Sequence, residues 1–406
     1  MSKSSQRIVI ILSVSIFVQF LGAMAISPIL PIFLKHASQK EYSIGLIIGL
    51  FFAFNLLAQY PTGKYVDKHS PIVTIVAGLT IFVLGSIFMG LANNFISLIV
   101  FRSIQGVGSG AFMVSTNSLV AKTSTNDEKT KAFAYIFGAQ MSGTTIGALL
   151  GSTFGLTHLR QTFFLAAGLS LISLIFTLFN LKLIKDSHIQ SESKANLILK
   201  DTDQSLINPT AKRHSMLFKN PAVYGAICWA IASGSISGVY ETLWSPYFIS
   251  RGGSGLMLGL SWFCFGAPYI LFSWKIDKIF KHLKLTSLAL TQPIFGGIFI
   301  FVYAILKNVD IIVIFCAVEA ILILPGSPAI QTILTRSIRF HDQGRAQGLI
   351  LSFQIATQAI FAFASGLLAS KSIYLSFYAG GIFSVLLAVP MAIYIKSAVK
   401  TNSSHP

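Results

Sequence analysis

Twelve apolar stretches leave little of this 406-residue chain for anything else. They lie near 8–30, 44–62, 72–92, 96–120, 133–156, 162–182, 221–248, 256–274, 285–306, 311–334, 347–369 and 374–395. Each is roughly 20 residues, the length a helix needs to cross a hydrocarbon core of about 30 Å. Hydrocarbon offers backbone groups no water to bond with, so such runs must be helices. Apolar residues make up 53% of the chain and charged residues 11%, which leaves no room for a basic soluble domain. The sequence therefore predicts an all-α, polytopic membrane protein.

The basic residues set its direction. If both termini are cytoplasmic, 23 of the 30 Lys and Arg fall in inside segments. Six fall outside (Lys35, Lys40, Arg160, Arg251, Lys307 and Lys371), and Arg102 lies within a run. By the positive-inside rule this asymmetry predicts a cell (plasma or inner) membrane protein with both ends in the cytoplasm. The net charge of +17 then reads as a topology signal, and no nucleic-acid partner is expected. The first run is too long for a removable signal peptide and lacks a small-residue cleavage site. Cys228, Cys264 and Cys316 sit in apolar runs without metal-ligand spacing, so no metal, disulfide or cofactor is expected.

The longest polar stretch splits the runs six and six. A first bundle over 1–181, a cytoplasmic linker over 182–220, and a second bundle with a short tail over 221–406 are expected. The linker carries seven basic and four acidic residues, a composition suited to solvated chain. A shift of 214 positions lays Phe101 on Phe315, Lys122 on Arg336, Glu128 on Asp342, Lys131 on Arg345 and Gln140 on Gln354. A shift of 210 lays Asp67-Lys68 on Asp277-Lys278. Two parallel six-helix halves are an arrangement of transporters, which bind their cargo near midplane between the halves.

Four stretches carry a family resemblance. The first run has Leu21-Gly22, then Pro28-Ile29-Leu30-Pro31. The loop after the second has Gly63-x-x-x-Asp67-Lys68, and the fourth run has Arg102-x-x-Gln105-Gly106-x-Gly108-x-Gly110. The seventh has Tyr240-Glu241-Thr242-Leu243-Trp244-Ser245-Pro246-Tyr247. Together they resemble the major facilitator superfamily, in its twelve-helix drug:proton antiporter branch, and the seventh run resembles that of Gram-positive multidrug exporters. The chain departs from the pattern at His69-Ser70-Pro71, where Gly and basic residues are usual. It departs again at Thr144, where the antiporter motif places Pro after Gly143, and in a first run without an acid.

The polar residues inside the runs are the candidate site. Of thirteen acids, only Glu241 and Glu319 lie within apolar runs. A carboxyl group taken out of water protonates, finds a partner or faces a wet cavity. Glu241 ranks first as a proton and cationic-substrate site and Glu319 second, with Arg102, Gln105 and Trp244 beside them. The bland reading of each glutamate is a hydrogen bond between helices. Arg102 is expected to be met by backbone carbonyls, by Asn55, Gln59 or Asn117, by water or by a glutamate of the other half. It serves either as a switch or as a packing residue. Gly63, Asp67, Lys68 and Asp277 are expected at cytoplasmic gates, a role the resemblance implies. An exposed Asp beside a Lys is otherwise an ordinary solvated pair. Gly143, Gly147 and Gly151 read first as close helix packing. Most aromatics read as facing lipid or packing between helices, with Tyr and Trp near run ends as interface anchors, while some, including Trp244 and Tyr247, could line a cavity and hold a lipophilic cation.

The resemblance implies a proton-coupled exporter of amphipathic, cationic small molecules, working as a monomer by rocking of its halves. Its partners are the substrate, protons and the bilayer. A permease or exporter for sugars, metabolites or lipid precursors keeps the same fold, and a non-transporting sensor is a third reading. No nucleophile–base pair, metal cluster or nucleotide loop is legible, so an enzyme is not expected.

Overall fold

The computed structural model describes residues 3–37, 39–124, 126–184, 220–272, 283–338 and 342–403. Asp277, Lys278 and most of the linker lie outside these ranges. Twelve long helical segments, numbered in chain order, account for almost all of the described residues. Helix 1 runs Lys3–Ile26 and resumes after a turn as Leu30–His36, followed by helix 2 (Glu41–Lys68) and helix 3 (Pro71–Leu91). Helices 4 to 8 are Phe95–Thr123, Asn126–Gly155, Leu159–Phe179, Pro221–Ser250 and Gly255–Phe272. Helix 9 is Leu285–Ala289, a π-helical turn Gln292–Gly296, and Gly297–Ile305. Helix 10 is Val309–Ile323 and, past Leu324-Pro325, Gly326–Ser337; helices 11 and 12 are Gln343–Ala369 and Ile373–Ser403. Ten are long and apolar enough to cross a membrane. The other two are helix 5, which opens on the polar Asn126-Asp127-Glu128-Lys129 and carries five glycines, and the short helix 8.

Local chemistry explains where helices begin. Asn94 and Ser97 form a reciprocal capping box, with Ser97 N–H donating to Asn94 Oδ1 at 2.8 Å. Asn220 accepts from Ala222 N–H at 2.9 Å, with Pro221 in the first turn, where its missing N–H costs nothing. Asn308 caps helix 10 by accepting from Asp310 N–H at 2.8 Å. One expectation is corrected at this level. Gly63, Asp67 and Lys68 lie in the final turns of helix 2, not in a loop, and only His69 and Ser70 link it to helix 3. Apolar content marks the hydrocarbon, but backbone hydrogen bonds continue the helix into water. The helices therefore overrun the apolar stretches.

The chain packs as two compact units, Met1–Phe33 with Leu50–Asn208, and Leu34–Gly49 with Pro209–Pro406. In the first, helix 1 packs on helices 5 and 6, and helix 3 on helices 4 and 6. In the second, helix 7 packs on helices 11 and 12, helix 9 on helix 12, and helix 8 on helix 10. The pairings 1–5, 1–6 and 3–6 thus recur six helices later, the spatial form of the weak sequence repeat.

Glycine makes the closest of these seams. A Cβ on Gly143 would lie 2.5 Å from the Phe17 carbonyl oxygen, and on Gly147 and Gly151 it would overlap the carbonyls of Leu21 and Ala25. Glycines four apart face carbonyls four apart, so two backbones meet without side chains between them. Gly234 and Gly238 meet the carbonyls of Gln354 and Gln358 in the same way. Apolar cores fill out each unit: Ile8, Leu12, Ile75, Leu119 and Ile136 in the first, and Val223, Leu288, Ile333, Ile350 and Ile395 in the second.

Candidate functional site

Glu319 sits four residues before the end of the first half of helix 10, in the second unit, and is 1% exposed. Its carboxylate is gripped by two phenols. Tyr303 of helix 9 donates to Oε2 at 2.7 Å, and Tyr240 of helix 7 donates to Oε1 at 3.1 Å and Oε2 at 3.3 Å. Among the described residues no Lys, Arg or His pairs with it. Cys316 lies one helical turn away, also buried. Space beside the carboxyl comes from Gly296 at the end of the π turn. A Cβ there would stand 3.9 Å from Oε1 and 2.8 Å from Ile236 Cδ1.

Aromatic rings wall the group. Trp244 is fully buried, edge-on to Tyr303 at 4.9 Å between ring centres, with Tyr240 at 5.3 Å and Phe265 at 5.5 Å. Its indole N–H is spent on Ser261 Oγ at 2.9 Å, which fixes the ring. Tyr247, one turn further, donates its hydroxyl to the carbonyls of Tyr303 and, at 3.0 Å, Leu306. Arg251 donates to the Leu306 carbonyl at 2.5 Å and to Tyr374 Oη at 3.1 Å, and lies over the Tyr247 ring. The end of helix 9 carrying Tyr303 is thus pinned by bonds to its last carbonyls. Tyr247 and Tyr303 stand near the ends of their runs and are fully buried, packed among rings of neighbouring helices. A partner for the hydroxyl is what keeps a tyrosine inside.

Glu241 is half-buried on the neighbouring face of helix 7. Successive helical residues point about 100° apart, so Tyr240, not Glu241, reaches Glu319. Gly234 and Gly238, which share the face of Glu241, press against helix 11. A polar cluster on helices 7, 9 and 11 lies in the same unit. Gln292 Nε2 donates to Ser233 Oγ at 2.7 Å and Gln354 Nε2 to the same oxygen at 3.4 Å.

In the first unit, Arg102 is 5% exposed. It donates to Gln105 Oε1 at 2.8 Å, and its guanidinium lies 4.2 Å from the centre of the Phe51 ring. Gln105 in turn donates to Ser86 Oγ at 3.0 Å. Of the acceptors expected for Arg102, Asn55 instead receives a bond from Gln59 at 2.8 Å. Asp67 and Lys68 are exposed. Beside them Lys122 donates to the Val66 carbonyl at 2.6 Å and ties the end of helix 4 to the end of helix 2. Asp277 lies outside the described residues.

Sequence reasoning missed Tyr240, Tyr303 and Phe51. Tyr240 stood inside the quoted seventh-run stretch, and a phenol beside a buried acid was the available signal. Tyr303 carried no signal of its own.

A model of the Major Facilitator Superfamily matches residues 12–354. Over 206 residues the chain is 32% identical to multidrug resistance protein 2 of Bacillus subtilis (strain 168), covering 50% of this chain and 51% of that one. It is 26% identical over 170 residues to the quinolone resistance protein NorA of Staphylococcus aureus (strain N315), covering 42% and 44%. The chain thus spans about half the length of the curated relatives it matches. A peptide transporter solved in complex with alafosfalin has the same fold, with a TM-score of 0.76 at 14% identity, covering 96% of this chain and 94% of that one. An inward-facing, occupied bacterial homologue of the human lysosomal transporter Spinster gives 0.65 at 14%, covering 99% and 98%. Twelve helices in two units with recurring neighbours, the family match and these superpositions agree: the chain belongs to the major facilitator superfamily.

Proposed function

We propose that the chain is a proton-coupled secondary transporter that exports amphipathic, cationic small molecules by alternating access, with Glu319 as its proton-carrying group. One observation carries the reading: a carboxyl group withdrawn from water, held by Tyr240 and Tyr303 and by no described cation. A buried carboxylate costs several kcal/mol, and hydrogen bonds from two phenols offset part of it. The remainder favours a group that takes up a proton or meets a positively charged cargo, and the two then compete. Entry of one releases the other. The ring wall of Trp244, Tyr240 and Phe265 suits a lipophilic cation, which an aromatic face attracts.

Glu241 is the second carboxyl of this scheme, and Arg102 with Gln105 its buried cationic counterpart in the first unit. The exporter reading is supported by the names of the similar proteins, a multidrug and a quinolone resistance protein. The asymmetry of basic residues supports a cell membrane location with cytoplasmic termini, and the working unit is a monomer. Asp67 and Lys68, at the exposed end of helix 2, are proposed to act in gating with Gly63 and Asp277.

The driving force is adequate. One pH unit across the membrane supplies about 1.4 kcal/mol per proton, and 100 mV supplies about 2.3 kcal/mol per charge. The test is dye transport in proteoliposomes with an imposed pH gradient. Wild type should accelerate with the gradient, and Glu319→Gln should lose at least about tenfold of that acceleration, since a neutral amide has no proton that titrates near neutral pH. Equal dye movement with and without the gradient, or a Gln variant that matches wild type, would sink the proposal.

A further inference from the structure

At one rim of the second unit, helices 9, 10 and 12 leave a cleft of about 340 Å³. Lys284, Leu285 and Thr286 form one wall, Ile333, Arg336 and Ser337 another, and Val399 closes it. Two features stand together in it. Lys284 and Arg336 are exposed, and neither side chain makes a hydrogen bond or ion pair with any described residue. Among the described residues no acid lines the cleft. Besides Thr286 and Ser337 the rest of the lining is apolar: Ile333 is buried, Leu285 half-buried, and Val399 exposed at 43%. Both cations lie at helix ends, Lys284 before the first turn of helix 9 and Arg336 in the last turn of helix 10.

A free anion would use the charges and leave the apolar walls wet. An amphiphile with an anionic head uses both. We propose that this cleft binds an anionic phospholipid. Its phosphate lies between Lys284 and Arg336, and the start of an acyl chain lies along Leu285, Ile333 and Val399. Guanidinium and ammonium groups recognise phosphate by charge-assisted hydrogen bonds, and basic pockets between helices at a membrane surface suit lipid head groups. The site stands apart from Glu319 and does not depend on the transport reading.

Native mass spectrometry of the full chain in detergent, titrated with phosphatidylglycerol or phosphatidylcholine, tests the proposal. Wild type should retain phosphatidylglycerol preferentially. The double variant Lys284→Gln/Arg336→Gln should weaken that retention roughly 30-fold, about fivefold for each charge removed near a membrane surface. The charge-preserving pair Lys284→Arg/Arg336→Lys should keep it, as should Lys307→Gln/Lys371→Gln at other helix ends. Equal retention of the two lipids by wild type would overturn the proposal, and so would unchanged binding in the double Gln variant. Displacement of the lipid by millimolar inorganic phosphate would overturn it too, since the cleft would then read a free anion. Should the Gln variant not fold, the wild-type lipid preference and the charge-preserving pair decide.

Discussion

Tyr240 and Glu241 are adjacent in the chain, yet only the first touches the buried carboxyl of Glu319. The sequence could place both acids at bilayer depth, because apolar neighbours mark depth without reference to fold. It ranked Glu241 ahead of Glu319 from neighbours along the chain alone, without sight of which helix faces which. That is a property of packing between residues 79 apart. The shorter phenol bond should matter more. Tyr303→Phe removes a 2.7 Å donor from a fully enclosed acceptor and is expected to cost about 1–3 kcal/mol of stability. Tyr240→Phe, which loses bonds of 3.1 and 3.3 Å, should cost less. Thermal unfolding of the two purified variants checks the order, and a reversal would mean that Tyr240 is the principal partner.

Along the helices, much more was readable. Asn94, Asn220 with Pro221, and Asn308 cap helix starts, a signal carried by residue type that the reading of apolar runs did not use. The glycine ladder of helix 5 was readable in spacing but not rung by rung. Gly143, Gly147 and Gly151 press on the backbone of helix 1, whereas a Cβ on Gly138 would meet nothing within 4 Å. Gly147→Val should therefore destabilise by several kcal/mol or prevent folding, because a backbone carbonyl cannot yield as a side chain can. Gly138→Ala should be neutral or stabilise by up to about 1 kcal/mol, since alanine suits a helix better. Melting temperatures of the pair decide the matter: equal losses would show that the seam has been misread. The Gly63-x-x-x-Asp67-Lys68 stretch shows the opposite failing. Hydropathy ends the second run at 62, and nothing in it reveals that the helix continues to Lys68.

For the molecule as a whole, the excess of basic residues predicts the side on which the chain ends lie. A green fluorescent protein fused behind residue 403 should fluoresce in cells, because that domain matures in the cytoplasm, while an alkaline phosphatase fused there should stay inactive. Activity of the phosphatase would reverse the topology. The internal repeat is legible through helix order and charge, and the recurrence of helix neighbours shows why so little identity suffices: packing needs small and apolar residues, not particular ones. One difference between the halves bears on the site. Helix 3 is regular throughout, whereas helix 9 takes a π turn at Gln292–Gly296, with Ser384 Oγ donating to the Pro293 carbonyl at 3.0 Å. Such a turn holds one residue more than a regular helical turn, so everything after it is set back by about 100° from an unbroken helix of the same residues. The azimuth of Tyr303 is therefore set seven residues upstream of it, where the helix is overfilled. The same residues wound as an even spiral would carry the phenol about 100° off the acid, with every side chain of the site still encoded.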